Sequence, residues 1–375
     1  MPSVLVSGAS IAGPTVAYWL GKAGFDVTVV ERAPAPRPGG QAIDIRGPAL
    51  TVIREMGLLG SASAQRTRFK GMSTLDNDGK EIDRTEERTF SGGRFDSGDI
   101  EILRDLLAGL LLEASTPLAT YVYDDSIAAV AQDEAGVDVI FERGAPRRFD
   151  IVIGADGVHS HTRRLVFGDE GPLTRQLGVA LAIFTTPNLL NLTDWQVSFR
   201  DPQLGAGYVI YPARDNTELR INLGFGLKPG DPVRGDVVAQ KALVASRCAR
   251  LGGDIPRVIE AMHAAPDFYF GSLAQVRMES WSKGRVTLVG DAAYCPTPFT
   301  GQGTSLAMIG AFVLAKELAH NPDDPGSAFA RCEERMRPFV RMNQDMLSLD
   351  RQGPIPDEVF DKAKNGIVIK DLIAA

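Results

Sequence analysis

RVTLVGDAAYCPTPFTGQGTSLA, residues Arg285 to Ala307, decides how the chain is read. Val286-Thr287-Leu288-Val289 is a short apolar run rich in β-branched residues, the pattern of a buried strand. Gly290-Asp291 ends it. A turn-rich stretch with Pro296, Pro298, Gly301 and Gly303 follows, and helical periodicity runs from Thr304 to about Ala319. One carboxylate therefore stands at the C-terminal end of a strand, and a helix N-terminus opens behind a glycine-rich loop. Bare N–H groups and the positive end of a helix dipole suit an electron-rich ligand. Strand ends of open α/β sheets are where such ligands bind. The plainer alternative is a strand, turn and helix with no ligand.

A second stretch has the same grammar. Ser3–Ser7 is a short apolar strand, Gly8-Ala9-Ser10-Ile11-Ala12-Gly13 a turn, and Pro14–Lys22 a helix ended by Gly24. Val27–Val30 is a second strand with Glu31 directly after it. This is a βαβ unit. The hexapeptide reads G-x-S-x-x-G. Its first glycine allows the tight turn, its last allows the helix to pack close to the strand, and Ser10 is small enough to let a pyrophosphate approach the backbone. Glu31 stands where an acid hydrogen-bonds ribose hydroxyls. A third strand, Asp150–Ile153, ends at Gly154-Ala155-Asp156-Gly157, with Ser160 and Arg163 opening a helix.

Between these marks the pattern changes. Ala33–Arg46 reads as a loop dense in Pro, Gly and Arg, from which Arg37, Asp44 and Arg46 stand out. Gly47–Gly57 reads as a helix. Phe69–Arg84 is a hairpin turning at Asp76-Asn77-Asp78-Gly79. Thr85–Asp99 is irregular. Ile102–Ala114 is an amphipathic helix with Arg104 near its start, where a phosphate or carboxylate partner would justify a cation. Ser126–Phe149 alternates as two or three antiparallel strands. Gly178–Thr185, Trp195–Arg200, Gly207–Tyr211 and Leu219–Phe225 follow one another without crossover helices, so they form an antiparallel sheet in a second layer. Its aromatics Phe184, Tyr208, Tyr211 and Phe225 belong to a core or, on the sharper reading, to a pocket wall. Arg220 is expected to face solvent. Asp231–Arg250 and Asp254–Ala264 are helices, and Asp267–Arg277 is a returning strand. After Asn321-Pro322 a helix of about 25 residues starts near Gly326. A tail from Arg351, with Gly353-Pro354-Ile355-Pro356 and a short amphipathic segment, ends the sequence.

Composition narrows the classes. The chain has 375 residues, 44% of them hydrophobic and 23% charged, enough for two or three ordinary globular domains. A net charge of −7 gives no electrostatic case for nucleic acid or an anionic membrane. Cys248, Cys295 and Cys332 lack CxxC spacing and the histidines number four, so no metal site is expected. Reduced thiols, no signal peptide and no apolar membrane span together point to a cytoplasmic protein. No Ser/His/Asp or Cys/His arrangement offers a nucleophile; His159 and His161 read as motif-loop residues.

The three motifs together resemble the FAD signatures of class A flavoprotein monooxygenases, with a p-hydroxybenzoate hydroxylase-like fold. GGQAIDIRG at 39–47, Glu101-Ile102-Leu103-Arg104 and GDAAYCPTPFTGQG at 290–303 are similar to the tetracycline destructases. Departures are Ser10 for the middle glycine and Tyr294 for the histidine that commonly follows GDAA. The resemblance implies an α/β fold: a Rossmann-like FAD-binding domain (1–72, 99–170 and 278–322), a discontinuous second domain on an antiparallel sheet (73–98 and 171–277), and a C-terminal bridging helix and tail (323–375). It implies FAD contacts from Gly8, Ser10, Ile11, Ala12, Gly13, Glu31, Arg32, Asp44, Arg104, Asp156, Asp291, Gly301, Gln302, Gly303 and Thr304, with Asp156 mainly structural. The backbone of Pro298, Gly301 and Gly303 would position the flavin, and the helix behind Gly303 would stabilise the reduced ring. Arg37, Arg46 and Arg163 would serve NADPH or NADH as transient electron donor. Phe184, Tyr208, Tyr211, Phe225 and Pro298 would meet the substrate. The implied activity is cofactor-borne: NAD(P)H reduces FAD, O2 adds to give a C4a-hydroperoxide, and one oxygen passes to an aromatic or polyketide substrate, as in inactivation of a tetracycline-like antibiotic. The protein is expected to act as a monomer. The rival readings are an FAD-dependent reductase on the same fold and a protein that sequesters flavin or drug without turnover.

Overall fold

A computed structural model describes residues 1–347 and 355–374. Its first layer is a six-stranded sheet in the order Ser282–Lys283, Val286–Leu288, Ile151–Gly154, Ser3–Ser7, Asp26–Glu31, Thr120–Tyr123. The last five run parallel, and Ser282–Lys283 is an antiparallel edge. Side-chain alternation splits the central strands between two faces. Val4, Val6, Val27, Val29, Ile151 and Ile153 pack with helices Ala12–Lys22 and Gly303–His320. Leu5, Val30, Val152 and Val286 pack against a three-stranded antiparallel sheet, Ile127–Gln132, Val137–Phe141 and Arg147–Phe149. Both faces are covered, so the strands read as continuous apolar runs. Ser7 pairs with Val30 and Gly154, and Gly154 with Leu288, so the three glycine motifs emerge at one end of the sheet.

The second layer is a seven-stranded sheet in the order Phe268–Val276, Thr174–Pro187, Glu218–Gly226, Ala206–Ala213, Trp195–Asp201, Gly71–Leu75, Glu81–Thr85. All neighbours are antiparallel except Trp195–Asp201 with Gly71–Leu75. Helices Val237–Cys248 and Ile255–Ala264 cover one face. Register decides which residues meet those helices. Ala182, Leu223, Tyr208 and Phe199 lie in one line, and Phe184, Ile221 and Ile210 in the next. All of them belong to the helix-backed core. The opposite face carries Ile183, Asn222, Val209 and Ser198, then Thr185, Arg220 and Tyr211. That face meets the first layer. Ala42 N donates to Tyr211 Oη at 2.7 Å, Arg220 Nε to Gly40 O at 3.0 Å, and Phe90 N to Gln196 Oε1 at 2.8 Å.

Arg220 is therefore not at the solvent surface, as its polarity suggested. It is 1% exposed, with its guanidinium spread over Gly40 O, Thr185 Oγ1 and Glu218. The stretch 33–46 also departs from the loop reading. Ala42–Ile45 is a strand paired antiparallel with Ile100–Leu103. The proline- and glycine-rich residues before it hid a four-residue alternation. Ile102 belongs to this pair, so the helix starts later, at Arg104, and runs to Ser115. The strand Thr120–Tyr123 was also not legible.

The C-terminal helix spans Pro325–Asp345, with the Asp324 carboxylate accepting from Ser327 N as its cap. It packs on Gly303–His320 and reaches the second layer. Gln344 Nε2 donates to Val276 O at 2.7 Å, and Arg277 pairs with Asp345 at 2.9 Å. The amphipathic tail segment forms the helix Asp357–Lys364. The turn read at Gly353-Pro354 lies outside the described residues. No described helix is long and apolar enough to cross a membrane, and among the described residues no cluster could hold a metal ion.

Candidate active site

At the Gly8–Gly13 turn, helix Ala12–Lys22 starts with no side-chain cap and no acid in its first turn. Its N-terminal N–H groups remain available to an anion. Gly13 is dictated by contact: a Cβ there would lie 1.8 Å from Gly8 O. Glu31 closes the turn by accepting from Ala9 N at 2.9 Å and Ala33 N at 3.0 Å. Beside it, Ser10, Glu31, Arg37 and Arg104 line one small cavity. Arg104 stands at the first position of its helix, where the dipole gives it no help. Its Nη2 donates to Arg37 O at 2.8 Å and Gly39 O at 2.7 Å, and burial lowers its pKa. Arg32 is exposed. Ser10, Glu31, Arg37 and Arg104, distant in sequence, converge on this one cavity.

The segment after Val286–Leu288 carries the second set of candidate residues. Asp291 opens the short helix Asp291–Tyr294, and Pro298–Thr300 is a single 3-10 turn. Helix Gly303–His320 then begins with neither a side-chain cap nor an acid in its first turn. The Asp291 carboxylate faces Gly303, and burial holds its pKa above the usual carboxylate value. Several buried polar atoms around this loop lack partners. They are both amide atoms of Gln302, Thr297 Oγ1, and Nε and Nη1 of Arg46. Thr297 also holds φ at +84°, a conformation that side chains avoid. Leaving such groups unpaired costs about 1–3 kcal/mol each. A polar, planar ring system seated on this loop fits what they lack.

Arg46 connects the loop to a buried acid pair. It is fully buried, 2.8 Å from Asp44 Oδ1, and stacked over the Phe360 ring. A Cβ on Gly301 would lie 2.8 Å from its Nη1, so the αL glycine lets the loop close over the guanidinium. Asp44 and Glu101 are register partners, and the Ser91 hydroxyl touches both. Burial lifts both carboxyls, with Arg46 opposing at Asp44. The neighbouring Asp44 charge adds to burial at Glu101, whose pKa is pushed up to about 7. Glu101 and Ser91 had no functional reading in the sequence; a strand pair placing two acids opposite each other was the missing signal.

The FAD binding domain family matches residues 1–324. The chain belongs to that family. This FAD-binding chain is 48% identical over 373 residues to an uncharacterized protein of Mycobacterium tuberculosis strain H37Rv, covering 99% of the chain and 100% of that protein. It is 37% identical over 341 residues to a flavin-dependent monooxygenase from an unknown prokaryotic organism, covering 91% and 87% of the two chains. Among solved structures it is similar to the tetracycline destructase Tet(55), with a TM-score of 0.85, 33% identity and 97% of each chain covered. Tet(51) superposes with a TM-score of 0.83 at 32% identity, over 100% of this chain and 97% of that one. The fold is that of class A flavoprotein monooxygenases, and the chain is a flavin-dependent monooxygenase.

For this FAD-binding chain the residues expected to serve nicotinamide and substrate are mostly buried. Arg163 is 1% exposed and already committed: Nη1 donates to Ala292 O at 2.8 Å, Nη2 to Val158 O at 2.7 Å, and Glu170 pairs at 3.1 Å. It braces the Asp291 turn from behind and presents nothing to a transient ligand. Arg46 is equally inaccessible and belongs to the 297–303 loop. Phe184, Tyr208 and Phe225 have the wrong strand parity and fill the core under the two helices. Tyr211 has the right parity, but its hydroxyl is engaged with Ala42. Asp156 accepts from Ser160 Oγ and from Thr162 N, capping helix His161–Phe167. Pro298 is exposed beside Phe299, which is 47% exposed.

Proposed function

We propose that the chain binds FAD extended along the cleft, accepts electrons from NADPH or NADH, and transfers one oxygen atom of O2 to an aromatic or polyketide substrate. The observation carrying this reading is the set of unpartnered polar groups of Arg46, Thr297 and Gln302 around an uncapped helix N-terminus. It is distinct from the small cavity lined by Ser10, Glu31 and Arg104. Glu31 would hold the adenosine ribose, the N–H groups of Ile11–Gly13 the pyrophosphate, and Asp291 the ribityl chain. FAD supplies the redox and oxygen chemistry. The chain's own work is to position, to stabilise charge and to exclude water. The N-terminus of Gly303–His320 would favour negative charge on a flavin held there, and Arg46 would supply a fixed cation behind the loop.

The substrate wall would be the part of the second sheet's first-layer face that the contacts of Gly40, Ala42 and Phe90 leave uncovered. Half-buried Val209 offers apolar surface, and the half-buried Asn222 amide offers hydrogen bonds, already giving one to Val209 O at 3.2 Å. Tyr269, paired with Ile183, is 45% exposed and directed to the same side. A flat polar ring system suits such a wall, and the likeness to tetracycline destructases makes tetracycline the first compound to try. The test is NADPH and NADH consumption under air with tetracyclines, anthraquinones and simple phenols, followed by mass spectrometry. A product heavier by one oxygen supports the reading. A yellow protein that no compound stimulates and that oxygenates nothing would instead be a sequestering protein.

A further inference from the structure

Two buried glutamines from different elements meet behind the 297–303 loop. Gln275 lies on strand Phe268–Val276, and Gln344 lies in the last turn of helix Pro325–Asp345. Gln275 Nε2 donates to Pro296 O at 3.2 Å and to Gln344 O at 2.8 Å. Arg277 Nε donates to Gln275 Oε1 at 3.0 Å, which fixes the amide with its nitrogen toward Pro296. Gln344 Nε2 donates to Val276 O at 2.7 Å and reaches Tyr294 O at 3.3 Å and Cys295 O at 3.4 Å. Cys295 O also accepts from Val276 N at 3.0 Å. The consecutive carbonyls of Tyr294, Cys295 and Pro296 are thus held from outside the loop. Directly after them comes Thr297, buried, with φ at +84° and ψ at 148°. That combination borders a region used almost only by glycine, and a β-branched residue there is strained. Strain of this kind persists only where neighbours over-determine the backbone.

We propose that Gln275 and Gln344 are positioning residues for the flavin, holding Thr297 in a backbone conformation it would otherwise leave. The inference rests on the FAD reading above. Relaxing φ at Thr297 means turning the Pro296–Thr297 peptide plane, and Gln275 grips that plane by its oxygen. Pro298 acts from the other side, since a proline restricts the residue before it to ψ of about +120 to +160°. Thr297 O accepts from Thr300 N at 3.3 Å and from Thr300 Oγ1 at 3.0 Å. Thr300 Oγ1 in turn accepts from Gln302 N at 3.3 Å. The geometry imposed at Thr297 therefore passes along the turn to Gln302. Thr297 Oγ1 and both amide atoms of Gln302 are among the buried groups left without partners. The two glutamines act through this backbone and decide which way those groups point. They come from the second sheet and the C-terminal helix, so the flavin loop takes its shape from all three parts of the chain.

The experiment is a double-substitution cycle of Q275M with T297G on the full chain. Glycine holds a positive φ without strain, so T297G removes the need for the grip. Hydrogen exchange read by mass spectrometry on the flavin-free protein follows the amides of Thr300, Gly301 and Gln302, which the turn's own bonds protect. Q275M alone should speed their exchange about tenfold, within the range that strain of this kind supplies. In the T297G background Q275M should change exchange less than about threefold. FAD affinity, measured by fluorescence quenching, should follow the same pattern: about tenfold weaker with Q275M alone, and less than about threefold weaker when Q275M is added to T297G. Q344M, which frees the carbonyls of Tyr294 and Cys295, should repeat both results and carries the cycle if Q275M does not fold. Losses of equal size in the two backgrounds would mean that the glutamines only support the fold, and would overturn the proposal. If the protein takes up no flavin, the exchange arm still reads the grip while the FAD reading fails, so the two failures remain distinct.

Discussion

Glu101→Gln should flatten the pH dependence of stability, and the size of the effect follows from where the carboxyl sits. Its pKa moves from 4.5 to about 7 on folding, through burial first and the Asp44 charge second. The folded state binds the proton more tightly than the unfolded chain does, so stability falls as pH rises between these two values. The contribution is complete below about pH 4.5 and gone above about pH 7. The shift of about 2.5 units corresponds to about 3 kcal/mol over the whole range. Of this, about 2 kcal/mol falls between pH 5.5 and pH 8. The amide cannot ionise and can still bond Ser91 and Thr67. Urea unfolding of both proteins at steps across this range isolates the Glu101 carboxyl together with its interaction with Asp44, because titrating groups that do not interact with Glu101 cancel in the difference. E101Q should gain on the unsubstituted protein by about 2 kcal/mol as the pH is raised. A difference that stays constant within about 0.5 kcal/mol would refute the reasoning and return Glu101 to an ordinary ionised carboxylate.

Gly13→Ala places a methyl 1.8 Å from Gly8 O. The turn and helix must part, and FAD affinity measured by flavin fluorescence should fall by about a hundredfold or more, about 2.7 kcal/mol. Arg163→Met removes a buried brace while leaving Glu170 its contacts with Arg234 and His159. Thermal unfolding should record a loss of roughly 2–3 kcal/mol, with the KM for NADPH unchanged; a rise in that KM would restore Arg163 to the nicotinamide site. Asn222→Leu keeps the volume of the wall but removes its amide, so substrate KM should rise about tenfold with kcat nearly constant. Asn222→Leu with unaltered KM would place the substrate elsewhere.

The parts of the fold that the sequence made legible are those where one periodicity acts over a long stretch. Ser3–Ser7, Ala12–Lys22 and Asp26–Glu31 follow from apolar runs punctuated by glycine, and Gly303–His320 from a turn-rich entry into a helix. The glycine turn, the uncapped helix start and the acid after the second strand were readable because each is local. Arg220 shows where reading residue by residue misled. Leu219, Ile221, Leu223 and Phe225 alternate, which assigns Arg220 and Asn222 to the other face but not what covers it. Only the approach of Gly40 from the other layer makes the arginine buried. The helix-backed placement of Phe184, Tyr208 and Phe225 was hidden for the same reason, since aromatic character says nothing of which face is backed by helices. The Asp44–Ser91–Glu101 cluster was invisible because it depends on the register of a four-residue strand hidden in a Pro/Gly-rich stretch.

Flavin content is the most direct test of the central claim. The purified protein, incubated with FAD and freed of excess by gel filtration, should be yellow and carry one FAD per chain. Released FAD would be quantified by absorbance after denaturation. A protein that remains colourless and shows no quenching of FAD fluorescence would contradict the account.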